Sequence, residues 1–218
     1  MEMKRAAFTL IELLVVILII AVLMGLAFPV FQSIQNSAKK TQAKNDLVQI
    51  VTAVNAFYTE YGKYPIVSND DVVPITSDVF YTLRAVAQTG SANAADAANP
   101  RKIVFLSPPD AKDGSRPRLG IASQDVTVNG ITIKAGELID PWGIPYKISI
   151  NGTYDNDIAN PYGGSGGAGT DPIHAGVIAW SLGKNGVLGG GNALNTNFSR
   201  EAGSVNIFTG SGDVISWQ

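Results

Sequence analysis

No cysteine occurs in the 218 residues, which excludes disulfides, thiolate zinc sites, iron–sulfur clusters and a thiol nucleophile. Histidine occurs once, at His174, so a histidine-rich metal centre is excluded too. Charge is sparse: 16% of the residues are Asp, Glu, Lys or Arg, and the formal net charge is −2. Phosphate binding needs a basic surface, so nucleic acid is not an expected partner. No internal repeat is present. With 45% apolar residues, disorder of the whole chain is excluded. The length suits one domain, or one domain with an appendage.

The apolar residues are unevenly spread. Residues 13–38 carry no charged side chain, and Leu13 to Phe31 is almost wholly apolar. As a helix that stretch covers roughly 28 Å, close to the hydrocarbon thickness of a bilayer. Lys4 and Arg5 precede it, so the expectation is a single pass with the amino end cytoplasmic. Two rival readings are a buried helix of a soluble domain and a cleaved secretory signal. The first would need a protein shell around a helix apolar on every face. The second would use Gly25-Leu26-Ala27 for a cut before Phe28. Glu12 stands at the mouth of the run, where a carboxylate costs up to about 3 kcal/mol on insertion scales. Either it sits at headgroup level, or it is kept for a purpose.

Past the run, Phe31, Ile34, Leu47, Ile50, Val51, Val54, Phe57, Tyr58 and Tyr61 recur at helical spacing. This predicts helix from Thr9 to about Tyr61, roughly 80 Å long. Gly25 and Pro29 are expected to kink it or loosen a turn. Gly62 serves as its C-cap and Pro65 blocks its resumption.

The remainder reads as mixed structure. Ser77-Asp78 can cap a short helix with Phe80, Leu83, Val86 and Ala87 inward. Strands are expected at 102–106, 144–150, 176–182, 204–208 and 213–217, with loops at 89–100 and 107–118. Val126-Thr127-Val128, Asn129-Gly130 and Ile131-Thr132-Ile133 read as a hairpin, because Asn-Gly accepts a type I′ turn. Asp140-Pro141-Trp142-Gly143 is a turn, with Asp accepting hydrogen bonds, Pro setting φ and Gly relieving the fourth position. The fold class is α+β: a long amino-terminal helix, half apolar and half amphipathic, packed on an antiparallel sheet head with long loops.

Lys4-Arg5-Ala6-Ala7-Phe8-Thr9-Leu10-Ile11-Glu12, opening an apolar helix, resembles the processing segment of the type IV pilin and type II secretion pseudopilin superfamily. Three further segments, in family order, resemble the major pseudopilin head: Asp140-Pro141-Trp142-Gly143-Ile144-Pro145-Tyr146, Trp180-Ser181-Leu182-Gly183-Lys184-Asn185-Gly186 and Gly212-Asp213-Val214-Ile215-Ser216-Trp217. Tyr58 to Pro65 resembles its helix-to-loop junction, and residues 66–139 resemble nothing named. The resemblance implies cleavage between Ala7 and Phe8 by prepilin peptidase, with methylation of the new amine; Ala7 stands where the family usually has Gly. Four segments follow: a leader 1–7, a transmembrane and filament-core helix 8–31, its amphipathic continuation 32–61 and a head 62–218. The implied assembly residues are Phe8, Glu12 and Pro29, with the Glu12 carboxylate pairing with a neighbouring subunit's amine. The implied partners are further copies in a helical filament, minor pseudopilins, and an inner-membrane assembly platform with its ATPase. The implied location is the bacterial inner membrane, then a filament in the periplasm or cell envelope. A type IV pilus subunit, for adhesion, motility or DNA uptake, is the alternative within the class. The family's pilins commonly close a carboxyl loop with a disulfide that this chain lacks. A membrane-anchored or secreted binding module, holding ligand in loops 151–172 and 183–212, is the alternative outside it.

The family's loop after Ser-Leu-Gly binds calcium, an ion that needs six to eight oxygen ligands. Here Ser181, Asn185 and Asp213 plus carbonyls are the candidates, against a glycine-rich loop with no metal. Asp155-Asn156-Asp157 is read as a turn. Gly164-Ser165-Gly166-Gly167-Ala168-Gly169 spells G-x-G-x-x-G, but no helix start follows, so it is read as a flexible loop rather than a dinucleotide site. His174 has no evident catalytic partner, and no catalytic carboxylate pair is marked out. An enzyme is not expected.

Overall fold

The computed structural model describes residues 9–65, 76–164, 166–186, 188 and 207–218, without the side chains of residues 26, 27, 29 and 30. The chain divides into two compact units, Met1–Lys39 and Lys40–Gln218. One helix, α1 (Leu10–Tyr61), contributes to both.

In the first unit α1 runs through Gly25 and Pro29 without a break in the helix. Proline has no N–H to offer the carbonyl four residues back, which is that of Gly25; one missing bond leaves the neighbouring turns intact. The side chains described here lie open: Leu13, Ile17, Leu23 and Phe28 are all more than half exposed. Among the described residues no helix is long and apolar enough to cross a membrane.

In the second unit α1 buries Ala43, Leu47, Ile50, Val54 and Phe57. Their steps of four and three make one stripe, and each large side chain contributes about 1.5–3 kcal/mol by leaving water. Phe31 and Ile34, read as part of that stripe, belong to the other unit and are exposed. Gly62 ends the helix as expected, its N–H reaching the Tyr58 carbonyl at 2.8 Å. The second helix, α2 (Thr76–Leu83), includes Ser77 and Asp78 within its turns rather than before them. Phe80 and Leu83 are buried as expected. Val86 and Ala87 fall beyond the helix, because Ala85 turns to φ 55°.

Among the described residues the expected single sheet is four small antiparallel ones. They are β1 (Gly120–Ile121) with β4 (Leu138–Ile139), β2 (Val126–Val128) with β3 (Ile131–Ile133), and β6 (Asp157–Ile158) with β7 (Ile173–His174). The fourth is the three-stranded β5 (Lys147–Ile150), β8 (Val177–Ser181) and β9 (Val214–Ile215). The hairpin stands in the expected register, with Asn129 and Gly130 at φ 51° and 80°. The segment 102–106 is not a strand; the Phe105 and Leu106 amides both reach the Leu83 carbonyl at 2.8 and 3.2 Å. The strands expected at 144–150 and 213–217 shorten to β5 and β9, and that at 176–182 to β8. Of 204–208, only Ile207 and Phe208 are described, and they are not strand.

The three-stranded sheet is covered on both faces, which is why β8 is buried at every residue. Ile148, Ile150, Val177, Ala179 and Val214 join the α1 stripe in one core. The alternate residues Ile178, Trp180 and Ile215 pack with Ile158, Tyr162 and Ile173 in a second. Period-two alternation along each strand separates the two cores.

Candidate functional site

Two places carry the residues singled out in the sequence, and the first is the amino end of α1. Ala7 and Phe8 lie outside the described residues. Thr9 precedes the helix and bonds Glu12 reciprocally: its N–H and hydroxyl donate to Glu12 Oε2 at 2.8 and 2.7 Å, and the Glu12 N–H donates back to Thr9 Oγ1 at 3.3 Å. This is a capping box, which satisfies donors that a helix start leaves open. Thr-x-x-Glu is the sequence signal for it, in addition to the roles expected of Glu12 at the membrane and beside a neighbouring amine. Pro29 lies further along the same helix, within its continuous part.

The second place is the buried turn between β4 and β5, which meets the end of β8 through Ser181. Asp140 is fully buried, and its Oδ1 accepts the amides of Trp142, Gly143 and Ile144 at 2.9, 2.8 and 2.9 Å. Oδ2 accepts the Ser181 hydroxyl at 2.6 Å, and Ser181 Oγ accepts the Gly183 amide at 3.0 Å. Burial pushes the Asp140 carboxyl up to about 6, against the downward pull of those bonds. Gly183 sits at φ 62°, and a Cβ there would lie 2.4 Å from the Gly212 carbonyl oxygen. No side chain larger than hydrogen fits. Asp140 was read only as a turn residue; that it also holds Ser181 could not be read from residues so far apart.

Ser181 and Asp213 come to the same end of the β8–β9 pair, where Ser181 faces Val214. Asp213 Oδ2 accepts the Tyr162 hydroxyl at 2.8 Å. Burial first, then the Asp213 charge, raises the Tyr162 hydroxyl above its ordinary range and keeps it a donor. The Asn185 side-chain amide donates to the Ser211 carbonyl at 3.3 Å. Ser181 Oγ and Asp213 Oδ2 thus take part in protein hydrogen bonds, as does the side-chain nitrogen of Asn185. Among the described residues no three His, Cys, Asp or Glu side chains gather around a common point.

The remaining candidates resolve into structure. Asp155-Asn156-Asp157 is a turn, with Asp155 Oδ1 accepting the Asp157 amide at 3.0 Å and Asn156 at φ 69°. The glycine-rich stretch was expected to be flexible, but it is pinned: Ala168 is buried and its carbonyl accepts Trp217 Nε1 at 2.6 Å. It leads to β7 and not to a helix. His174 Nδ1 meets the Asp157 carboxylate across the β6–β7 pair, an exposed contact.

Residues 3–28 match the family described as the prokaryotic N-terminal methylation motif. The chain is also similar to the type IV major pilin protein PilA of Myxococcus xanthus (strain DK1622), at 31% identity over 96 residues, which is 44% of each chain. In that match it spans less than half the length of the curated relative. No solved structure matches this chain. Neither similarity is to an enzyme, and the long helix with small antiparallel sheets is consistent with a pilin fold.

Proposed function

We propose that this chain is the structural subunit of a pilus-like filament, and specifically of the pseudopilus of a type II secretion system. The observation that carries the reading is the amino-terminal methylation motif over residues 3–28, followed by an apolar helix. In the full sequence the apolar run continues to Phe31, long enough to hold the subunit in the inner membrane before assembly. Prepilin peptidase removes residues 1–7 on the cytoplasmic side, and minor pseudopilins and a platform ATPase drive polymerisation. The apolar helices then exchange lipid for one another, and Glu12 meets a neighbour's amine. Two opposite charges that neutralise each other in a dry helical bundle also set the axial register.

Intact mass of the membrane-extracted protein tests this. The expected chain starts at Phe8 and carries one added methyl group; a chain starting at Phe28 overturns the reading in favour of a secreted module. The choice of the secretion system rests on the resemblance of the three head segments and on the absence of cysteine. The similarity to a type IV major pilin does not separate this from a second reading, a surface pilus. Deleting the gene separates the two: loss of exoprotein secretion supports the first, and loss of surface filaments with secretion intact supports the second.

A further inference from the structure

The sequence contains three Asn-Gly steps: Asn129-Gly130, Asn151-Gly152 and Asn185-Gly186. Such a step is a reactive setting for asparagine, because glycine has no Cβ to keep its own amide nitrogen away from the asparagine carboxamide carbon. The fold treats the three differently. Asn151 is 1% exposed, and both ends of its carboxamide are engaged. Its Oδ1 accepts the Tyr154 amide at 2.5 Å, and its Nδ2 donates to Asp155 Oδ1 at 3.3 Å. Asn185 donates Nδ2 to the Ser211 carbonyl at 3.3 Å. Gly186 after it is buried, and a Cβ there would lie 3.2 Å from Ile144 Cδ1 and 3.5 Å from Ile131 Cδ1. Asn129 and Gly130 are both exposed, at the turn between β2 and β3. The last ladder pair is Val128 with Ile131, so the Gly130 amide lies outside the ladder. Among the described residues neither it nor the Asn129 carboxamide is hydrogen-bonded. The positive φ at both positions is what selects Asn-Gly for this turn, so the feature that shapes the hairpin also leaves it open to attack.

We propose that Asn129 is a deamidation site, the reactive one of the three, and that its isoaspartyl product unseats β3. The Gly130 nitrogen attacks Asn129 Cγ and an N–Cγ bond forms. The Cγ–Nδ2 bond breaks, and ammonia leaves with the Gly130 amide proton. Water then opens the succinimide ring. Addition at Cγ restores the ordinary backbone with an aspartyl side chain; addition at the main-chain carbonyl carbon leaves the chain running through Cγ, an isoaspartyl link. The net change is water gained and ammonia lost, with nothing oxidised or reduced. Either product adds a negative charge at the hairpin tip. The isoaspartyl link also adds a backbone carbon to a two-residue turn, and the register of Val128 with Ile131 and Val126 with Ile133 depends on that turn's length. Ile133 is fully buried, whereas Ile131 is only partly so and packs beside Gly186. The displacement therefore falls first on Ile131 and reaches the loop after β8.

The test ages the detergent-extracted chain in warm, mildly alkaline buffer, folded and, in parallel, unfolded in urea. Peptide mass spectrometry reads a gain of about 1 Da at each asparagine, and labelling by an isoaspartyl carboxyl methyltransferase reads the isoaspartyl share. Expected in the folded chain is conversion at Asn129 at least about tenfold faster than at Asn151 or Asn185, which must first open locally. In urea that gap should close. Amide hydrogen exchange across 126–133 and at Gly186 should be faster in the isoaspartyl fraction than in fresh chain. Asn129→Asp, which has the charge without the added carbon, should exchange like fresh chain. Folded-state conversion at Asn129 no faster than at the other two overturns the proposal. A gap that persists in urea overturns it too, since the fold would then not be its cause, and so does an isoaspartyl fraction that exchanges like fresh chain. None of these readouts needs filaments, so the outcome is independent of the filament reading.

Discussion

Asp140 and Ser181, 41 residues apart, meet at 2.6 Å in the interior of the head. The bond joins two segments that look independent in sequence. Through its other oxygen Asp140 holds the turn that leads towards β5, and through Ser181 it reaches the Gly183 amide where β8 ends. One carboxylate therefore sets the position of the loop that follows β8.

Replacing Ser181 with Ala leaves Asp140 Oδ2 without its hydroxyl donor and the Gly183 amide without its acceptor. Losing a bond to a charged group and stranding a buried amide costs about 3 kcal/mol. For a fragment beginning at Lys40 that corresponds to a fall of about 10 °C in the unfolding midpoint. Circular dichroism against temperature reads it, and an unchanged midpoint would show that the loop has another support.

The same carboxyl makes stability depend on pH. Burial raises Asp140 from 3.8 to about 6, so the folded state holds this proton more tightly than the unfolded one. Its stabilising contribution is complete below pH 4 and is lost as pH rises through about 6, up to about 3 kcal/mol in all. Burial lowers Lys147 from 10.5 to about 8, which has the opposite sign. That contribution is complete above pH 10.5 and is lost as pH falls through about 8. Denaturant midpoints at pH 4.5 and 7.0 should differ in wild type, and the difference should shrink in Asp140→Asn. The asparagine carbonyl can still accept the three amides but has no proton to gain.

Glu12→Gln separates two roles of one side chain. Glutamine still fits a capping box with Thr9, so helix content, membrane insertion and cleavage should stay at wild-type level. It has no charge for a neighbour's amine, so sheared-filament yield should fall. Glu12→Ala should lose both the cap, about 1 kcal/mol at the helix start, and the filament. Equal yields from wild type and Gln would leave the carboxylate with a capping role alone.

Calcium is expected to do little. Ser181 is engaged by Asp140 and Gly183, Asp213 by Tyr162 and Asn185 by Ser211, and ligand stabilisation grows only as RT ln(1 + [L]/Kd). Thermal midpoints of the head fragment with calcium and with EGTA should differ by less than about 3 °C, below 1–2 kcal/mol for a domain of this size. A shift above about 10 °C would show that backbone carbonyls complete a site around Ser181, Asn185 and Asp213.

What the sequence by itself determined is what depends on neighbours along the chain. The α1 helix from Leu10 to its Gly62 end, the Asn129-Gly130 hairpin and the Asp140 turn each follow from period, cap or turn chemistry within a few residues. Tertiary structure decided where those signals compete or where partners are distant. Segment 102–106 is rich in strand formers, yet its Phe105 and Leu106 amides bond to the Leu83 carbonyl at the end of α2. Among the described residues the strands are short and split into four sheets, since pairing depends on what lies opposite and not on propensity alone. β8 reads as one apolar run, and only the fold assigns Val177 and Ala179 to the α1 core and Ile178 and Trp180 to the other. Lys44, Asp46 and Glu60 look like ordinary solvated charges on a helix. Their partners Gln218, Tyr146 and Arg101 are brought within reach only when the head closes on α1, because hydrogen bonds and ion pairs act over a few ångströms of space, whatever the separation along the chain.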